Sequence, residues 1–461
     1  MKLKEPKNKN YCAVVVEIKQ LVNLENCNNV QVAIIMGNQV IVDKSVKIGD
    51  IGLFFPLETQ LSKEYLSANN LYRHKELNIN KEKAGYFEEN GRIRCVKFRG
   101  NKSEGLFMPL ESLNFIDNDL NLNINDEFDE INNIEICRKY IVKVQNMPGS
   151  GNGSKKSKKP KESKIIDNQF RFHQDTSMLY KNMHKINPDD IISITYKTHG
   201  TSAISSKVLC KKQLKWYEKI FKILGLNIVD TVYDYIYSSR KVIKNSDLNP
   251  NAQHFYGEDI WGITHNEIKD FLQDGMTIYY EIVGFLPNGG YIQKDYDYGC
   301  SNPLEIYNID FIIKNEGKDK WLKSYSNPPE NHVFYKILIY RITYTNPQGK
   351  VFEFSAKQVQ DWCKQNGLNA VPELFYGKAK DLFPFNTDQT LEEWQNKFLE
   401  FLKNRYTEKD CYICENKVSE EGIVLRPEKN DFEAYKLKSE RFYLYETKLL
   451  DKGESDIESE N

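Results

Sequence analysis

The chain lacks an excess of either charge. Sixty-four Lys+Arg stand against 65 Asp+Glu, a formal net charge of −1. A protein that holds nucleic acid by bulk positive charge is excluded, so any such binding has to be local. Long hydrophobic runs are missing too, and no segment reaches the ~18–20 apolar residues of a membrane span. Residues 1–10 (MKLKEPKNKN) lead straight into a strand-like run with no apolar signal core. Cysteine is sparse and odd in number, nine in 461 residues, which argues against a disulfide scaffold and for a reducing, cytoplasmic setting. The glycine signatures of dinucleotide and P-loop phosphate binding do not occur, and no Ser-His-Asp arrangement stands out. What is present is a soluble mixture, 40% hydrophobic and 28% charged, with 12% aromatics. Its length is roughly three times the ~150-residue prior for one domain.

The pattern divides the chain. Residues 1–145 read mainly as strand, in runs 11–18 (YCAVVVEI), 30–36 (VQVAIIM), 39–42 (QVIV), 52–55, 93–98 (IRCVKF) and 105–108. Gly37-Asn38 reads as the hairpin turn between the second and third. Short strands with glycine-bearing turns predict a small, OB-like β-barrel. Within it, alternation along 92–97 puts Arg92, Arg94 and Val96 on one face and Ile93, Cys95 and Lys97 on the other. That pattern suits either a basic face for a sugar-phosphate backbone, with Arg99 and Lys102 nearby, or a solvated outer face. Residues 146–164 contain PGSGNGS and a lysine run, a flexible basic linker whose alternative role is phosphate contact. Residues 449–461 read as an acidic tail.

Residues 165–448 are mixed, predicting an α+β domain with antiparallel strands and helices. Leu214, Tyr217, Ile220, Phe221 and Leu224 recur at helical spacing. Ser355 opens a second helix that Gly367 ends, and Thr390 with Glu393 forms a capping box before Leu391, Trp394, Phe398 and Leu402. All three stripes are expected to face the core. Strands are expected at 191–196, 277–283, 333–343 and 422–425.

The chemistry centres on residues 191–202 (IISITYKTHGTS), where a β-rich run delivers Lys197 and turns at Gly200. A lysine becomes a nucleophile only after its ammonium loses a proton, which needs desolvation or nearby positive charge. Alone, a lysine after a strand is ordinary surface. Further stations follow in order: 238–240 (SSR), 279–284 (YYEIVG), 333–342 (VFYKILIYRI), 420–424 (EEGIV) and 435–438 (YKLK). Together these six resemble motifs I, Ia, III, IIIa, IV and V of the covalent nucleotidyltransferases, the ATP-grasp-like superfamily of RNA ligases, DNA ligases and capping enzymes. The K-x-H-G-T form at Lys197 and the segment 371–377 (VPELFYG) are similar to RNA ligases. Segments 47–61 (KIGDIGLFFPLETQL), 92–100 (RIRCVKFRG) and 103–110 (SEGLFMPL) resemble the N-terminal OB domain of the Deinococcus- and Naegleria-type enzymes.

The resemblance implies an ATP-dependent RNA ligase that joins 3′-OH and 5′-phosphate ends, in nicked duplex RNA, through lysyl-AMP on Lys197, and that works as a monomer without a membrane. Glu421 would meet Mg²⁺ or Mn²⁺, and Glu281 the ribose. Lys436 and Lys438 would reach the phosphates and depress the Lys197 pKa. Arg240 would hold ribose and phosphate oxygens, Tyr340 would stack on adenine, and His199 would act after adenylylation. Tyr196, Thr201 and Ser202 would line the nucleotide site. The sequence departs from the family at Tyr196, Ser202 and Arg341, where Glu, Asn and Asp are common, and the 43-residue separation of Lys197 from Arg240 is long. The alternatives are a capping or DNA-ligating enzyme and an inactive RNA-binding relative. Cys411-x-x-Cys414 has no partner pair for zinc, and His173 reads as a packed histidine.

Overall fold

The computed structural model describes residues 3–25, 27–118, 120–141, 164–245, 248–249, 256–386 and 388–452. The expected linker, except Lys164, and the acidic tail beyond residue 452 lie outside the described residues.

Two five-stranded sheets dominate the C-terminal part. The first runs in the order Ser177–Met178, Tyr435–Lys438, Gly422–Pro427, Ile191–Tyr196, Glu373–Lys378. Only its short outer pair, Ser177–Met178 with Tyr435–Lys438, is parallel. The second runs Thr231–Ser239, Thr201–Lys211, Met276–Gly284, Tyr335–Thr345, Val351–Glu353 and is antiparallel throughout. The chain crosses from the first sheet to the second at residues 197–200.

Each sheet buries one face under helices, and the period-two pleat leaves the alternate residues for the cleft between them. Helix Leu391–Leu402 lays Trp394, Phe398 and Leu402 on Ile192, Ile194, Ile423, Leu425, Tyr435 and Leu437. Its capping box is present as read, with Thr390 Oγ1 accepting from Glu393 N. Alternation then turns Lys436 and Lys438 away from this helix. In the second sheet Ile278, Tyr280 and Ile282 pack on Ile260, Trp261, Trp321 and Tyr325, which leaves Glu281 on the opposite face. Full burial of such aromatic and branched side chains stabilises by about 1.5–3 kcal/mol each.

Four expectations are corrected. The described N-terminal strands close no barrel. They form a four-stranded sheet, Glu127–Phe128, Ala13–Glu17, Ile51–Pro56, Gly105–Pro109, and a separate three-stranded sheet, Leu21–Asn23, Val30–Ile35, Asn38–Asp43. Between the two, the N–H groups of Gln39 and Ile41 donate to the side chains of Glu104 and Ser103, and Glu104 N donates to Gln39 O at 2.7 Å, but no strand ladder continues. The hairpin turn is Met36-Gly37 rather than Gly37-Asn38, with φ 50° and 74°, the left-handed pair of a type I′ turn. A Cβ on Gly37 would stand 2.6 Å from Leu399, so glycine also lets the hairpin pack on the C-terminal part.

The basic face at 92–97 does not form. Arg92 is buried, donates to Glu58 through Nε and Nη2 at 2.8 Å each, and reaches Asp451 at 3.1 Å. Arg94 and Lys102 pair with Asp451 and Glu440 at 3.3 and 2.5 Å. These cations tie the N-terminal sheets to helix Glu440–Asp451, whose Tyr443 and Leu444 pack on the N-terminal core. Lys97 and Arg99 remain exposed.

The fourth correction concerns helix Trp216–Ile223. None of its residues is buried, and Tyr217, Ile220, Phe221 and Leu224 face solvent instead of a core. It lies in the connection between strands Thr201–Lys211 and Thr231–Ser239.

Candidate active site

The crossing at 197–200 is built for close approach. Lys197 N donates to Gly422 O at 2.8 Å, joining the end of Ile191–Tyr196 to the start of Gly422–Pro427. Gly200 has no room for a side chain, because a Cβ there would stand 2.4 Å from Ile282 O and 2.7 Å from Glu281 Cγ. Gly422, at φ +145°, would bring a Cβ within 2.1 Å of Leu437 O. These glycines let the Lys197 strand, the Glu281 strand and the Lys438 strand meet.

Lys197 Nζ stands 2.6 Å from Glu421 Oε1, both side chains largely withdrawn from solvent. The same carboxylate oxygen is 3.9 Å from Lys438 Nζ, and Oε2 is 3.9 Å from His199 Nδ1. Lys438 is anchored by Glu446 at 3.0 Å and lies over the Phe442 ring; its pKa is pushed up by the charges of Glu446 and Glu421, against the opposing effect of burial. Lys436 is buried two residues earlier on the same strand, in register with Val424. The His199 ring meets Tyr296 and Phe442 edge-on, centroids 4.9 Å apart in both cases, and the backbone N–H of His199 donates to the Tyr298 hydroxyl.

Across the crossing, Ser202 Oγ donates to Glu281 Oε2 at 3.0 Å, and its carbonyl accepts from Trp261 Nε1. Thr201 is buried opposite Ile282. Tyr340 is half-buried, two residues beyond Leu338, the register partner of Glu281, and its hydroxyl meets His173 Nδ1 at 3.0 Å. Burial raises the Tyr340 pKa, with the Glu281 charge adding to it and Arg240 opposing. Arg240 donates to Asp175 Oδ1 from Nη2 at 2.7 Å and from Nε at 3.1 Å. Tyr196 is buried among Val283, Tyr298, Leu338 and Val371, which makes it a wall of the cleft. Arg341 turns away from Tyr340 to Glu353, which it grips at 2.9 Å twice, and stacks on Tyr279 and Phe432.

The adjacent acids separate cleanly. Glu421 faces Lys197, whereas Glu420 is buried near Cys411, and desolvation pushes its pKa up to about 9. Cys411 and Cys414 are free thiols; a hydrogen bond from Cys414 brings Cys411 down to about 7.

No family model matches this sequence, and no curated protein sequence matches it. Solved structures do. Naegleria gruberi RNA ligase with PPi is similar over 96% of this chain and 99% of the ligase, at TM-score 0.56 and 14% identity. A lysine-to-alanine variant of that ligase with ATP and Mn is similar over 94% of this chain and 98% of its own, at TM-score 0.53 and 12% identity. A lysine-to-methionine variant with AMP and Mn gives 94% and 97%, TM-score 0.52 and 12% identity. The chain has the fold of that RNA ligase.

Within this ligase fold the site holds residues that no sequence spacing marked. Asp175 on Arg240, Glu446 on Lys438, Tyr298 on His199 and Trp261 on Ser202 all lie outside the six motif stations. Among the described residues no three His, Cys, Asp or Glu side chains gather as a metal cluster. Glu421 is the carboxylate at the crossing, which fits a hard cation completed by phosphate oxygens and water rather than caged by protein.

Proposed function

We propose that this chain is an ATP-dependent RNA ligase that seals a 3′-OH to a 5′-phosphate in nicked duplex RNA through a lysyl-AMP intermediate. The observation that carries the reading is Lys197 Nζ at 2.6 Å from Glu421, at the crossing of two sheets in a ligase fold. Lys197 must shed a proton before its lone pair attacks the ATP α-phosphorus, and Glu421 Oε1 is within hydrogen-bond reach to take it. The Nζ–P bond forms as the bond to the β-phosphate oxygen breaks and pyrophosphate leaves. Lys436 and Lys438 supply positive charge where the phosphates collect, which is most of what phosphoryl transfer asks of a protein. A Mg²⁺ or Mn²⁺ bound at Glu421 would neutralise phosphate charge.

Tyr340 offers its ring to adenine, and Arg240 offers a fork of donors to ribose or phosphate oxygens. Glu281, oriented by Ser202, takes the ribose hydroxyls, and Thr201 and Tyr196 wall the pocket. His199 serves the steps after adenylylation, in which AMP passes to the RNA 5′-phosphate and the 3′-OH displaces it. Residues 1–145 form the part that clamps the duplex, reading A-form shape rather than base sequence, with residues 165–448 as the catalytic part of a monomer.

The test is a side-by-side sealing assay on nicked duplex RNA, nicked duplex DNA and single-stranded RNA ends, with ATP or GTP. Nicked RNA with ATP is expected to seal fastest. Equal sealing of single-stranded ends would remove the duplex from the reading, and dependence on GTP would point to capping chemistry.

A further inference from the structure

The hairpin insert between Thr201–Lys211 and Thr231–Ser239 plays no part in the ligase site. Ser202 is at the site end of its strand, and the insert leaves from the other end, nine residues and about 30 Å away at strand spacing. At 100° per residue, helix Trp216–Ile223 and the following Leu224 sort into two clean faces. Ile223, Trp216, Ile220, Leu224, Tyr217 and Phe221 fill one arc, while Glu218, Lys222, Lys215 and Lys219 fill the other. The apolar face is bare: Ile223 is 84% exposed, Trp216 75% and Leu224 69%, with the other three above a third. An exposed apolar surface of this size marks an interaction site.

The insert is also shaped without help from any core. Lys215 N donates to Glu218 Oε2 at the helix start, Lys212 pairs with Glu218 at 2.8 Å, and Lys222 pairs with Asp230 at 2.6 Å. Five lysines stand against two carboxylates in residues 211–230, in a chain whose net charge is −1. The partner is therefore apolar beneath an anionic surface. A second copy of the chain would set lysines against lysines, and a sugar-phosphate backbone has nothing for six apolar side chains.

We infer that this insert is a peripheral membrane anchor, lying in the plane of an anionic lipid surface with Trp216, Ile220 and Ile223 in the acyl boundary and the lysines among the headgroups. It does not cross the bilayer; no described helix is long and apolar enough to do so. The anchor holds the enzyme at a membrane while leaving the cleft open.

The experiment is flotation of the full chain with phosphatidylcholine vesicles, alone or with about a third phosphatidylserine, at low and high salt. The expected result is binding to the anionic vesicles only, weakened by salt. Trp216→Glu with Ile223→Glu is expected to lower partition by about tenfold or more. Trp216 is the exposed tryptophan, Trp362 is half-buried in the second-sheet core, and Trp261, Trp321 and Trp394 are buried. Insertion should therefore shift tryptophan emission to the blue, and Trp216→Phe should lose the shift while keeping most of the binding. Self-adenylylation, as the check on folding, should be unchanged in both variants. Failure to float with anionic vesicles, or flotation undiminished in the double variant, overturns the anchor. So does concentration-dependent self-association that the double variant abolishes, because the face would then belong to a second copy.

Discussion

The cleft and the insert invert the usual placement of side chains in opposite directions. At the cleft, Lys197, Glu281, Glu421, Lys436 and Lys438 are charged and withdrawn from water; at the insert, Trp216, Ile223 and Leu224 are apolar and exposed. Buried charge is costly unless it is paired, and exposed apolar surface is costly unless something covers it. The cleft compensates internally, through Glu421 shared by two lysines and Glu446 on Lys438. The insert has no such internal compensation among the described residues, and the proposed anchor supplies it from a lipid surface. On the proposed reading the two inversions await different ligands: phosphate at one, an apolar and anionic surface at the other.

The two amphipathic helices carry the comparison into stability, where the largest effect is expected. Trp394→Ala opens a cavity behind the cleft and should lower unfolding free energy by about 3–5 kcal/mol in denaturant melts. A smaller loss would mean that the helix behind the sheet does not set its position. Glu421→Gln comes next. It keeps the shape but removes the charge that Lys197 and Lys438 share, and single-turnover adenylylation should slow by about a hundredfold, near 2.7 kcal/mol. A near-normal rate would detach Glu421 from the chemistry.

Glu420→Gln tests the neighbouring acid by pH. The folded carboxyl titrates at about 9 instead of the ordinary 4.5. It therefore contributes stability that is fully present below pH 4.5 and is lost as the pH climbs towards 9, because the unfolded chain ionises first. Glutamine cannot ionise, so the variant should melt several degrees above the parent at pH 8 and together with it at pH 4.5. Equal melting at both would show that Glu420 is charged in the folded state. The smallest effect is expected for Trp216→Ala, within about 0.5 kcal/mol of the parent in free solution. A larger loss would mean that the face is already covered.

Sequence pattern made the site legible and its surroundings less so. Lys197, Glu281, Glu421, Lys436 and Lys438 could be proposed because an ordered series of short motifs restricts where each can lie; Lys197 and Lys438 stand 2.6 and 3.9 Å from Glu421, and Ser202 bonds Glu281. The choice of Glu421 over Glu420 rested on the motif resemblance, and the structure turns the two apart, Glu421 to Lys197 and Glu420 towards Cys411. Arg92 was misread because alternation identifies a face without saying whether Glu58 and Asp451 wait there. The Trp216 helix was misread for the same reason. A hydrophobic stripe at helical spacing states that a face avoids water, and it is silent on whether this chain or another body covers it. The barrel failed on closure, because at the junction of the two sheets Gln39 and Ile41 donate to side chains and only local bonds, not a ladder, cross.

The central claim is that Lys197 becomes covalently nucleotidylated. Incubating the full chain with α-labelled ATP and Mg²⁺ or Mn²⁺, followed by peptide mapping, tests it most directly. The label should sit on the Lys197 peptide and vanish in Lys197→Ala. Label on another residue, label that survives Lys197→Ala, or a protein that takes none would contradict it.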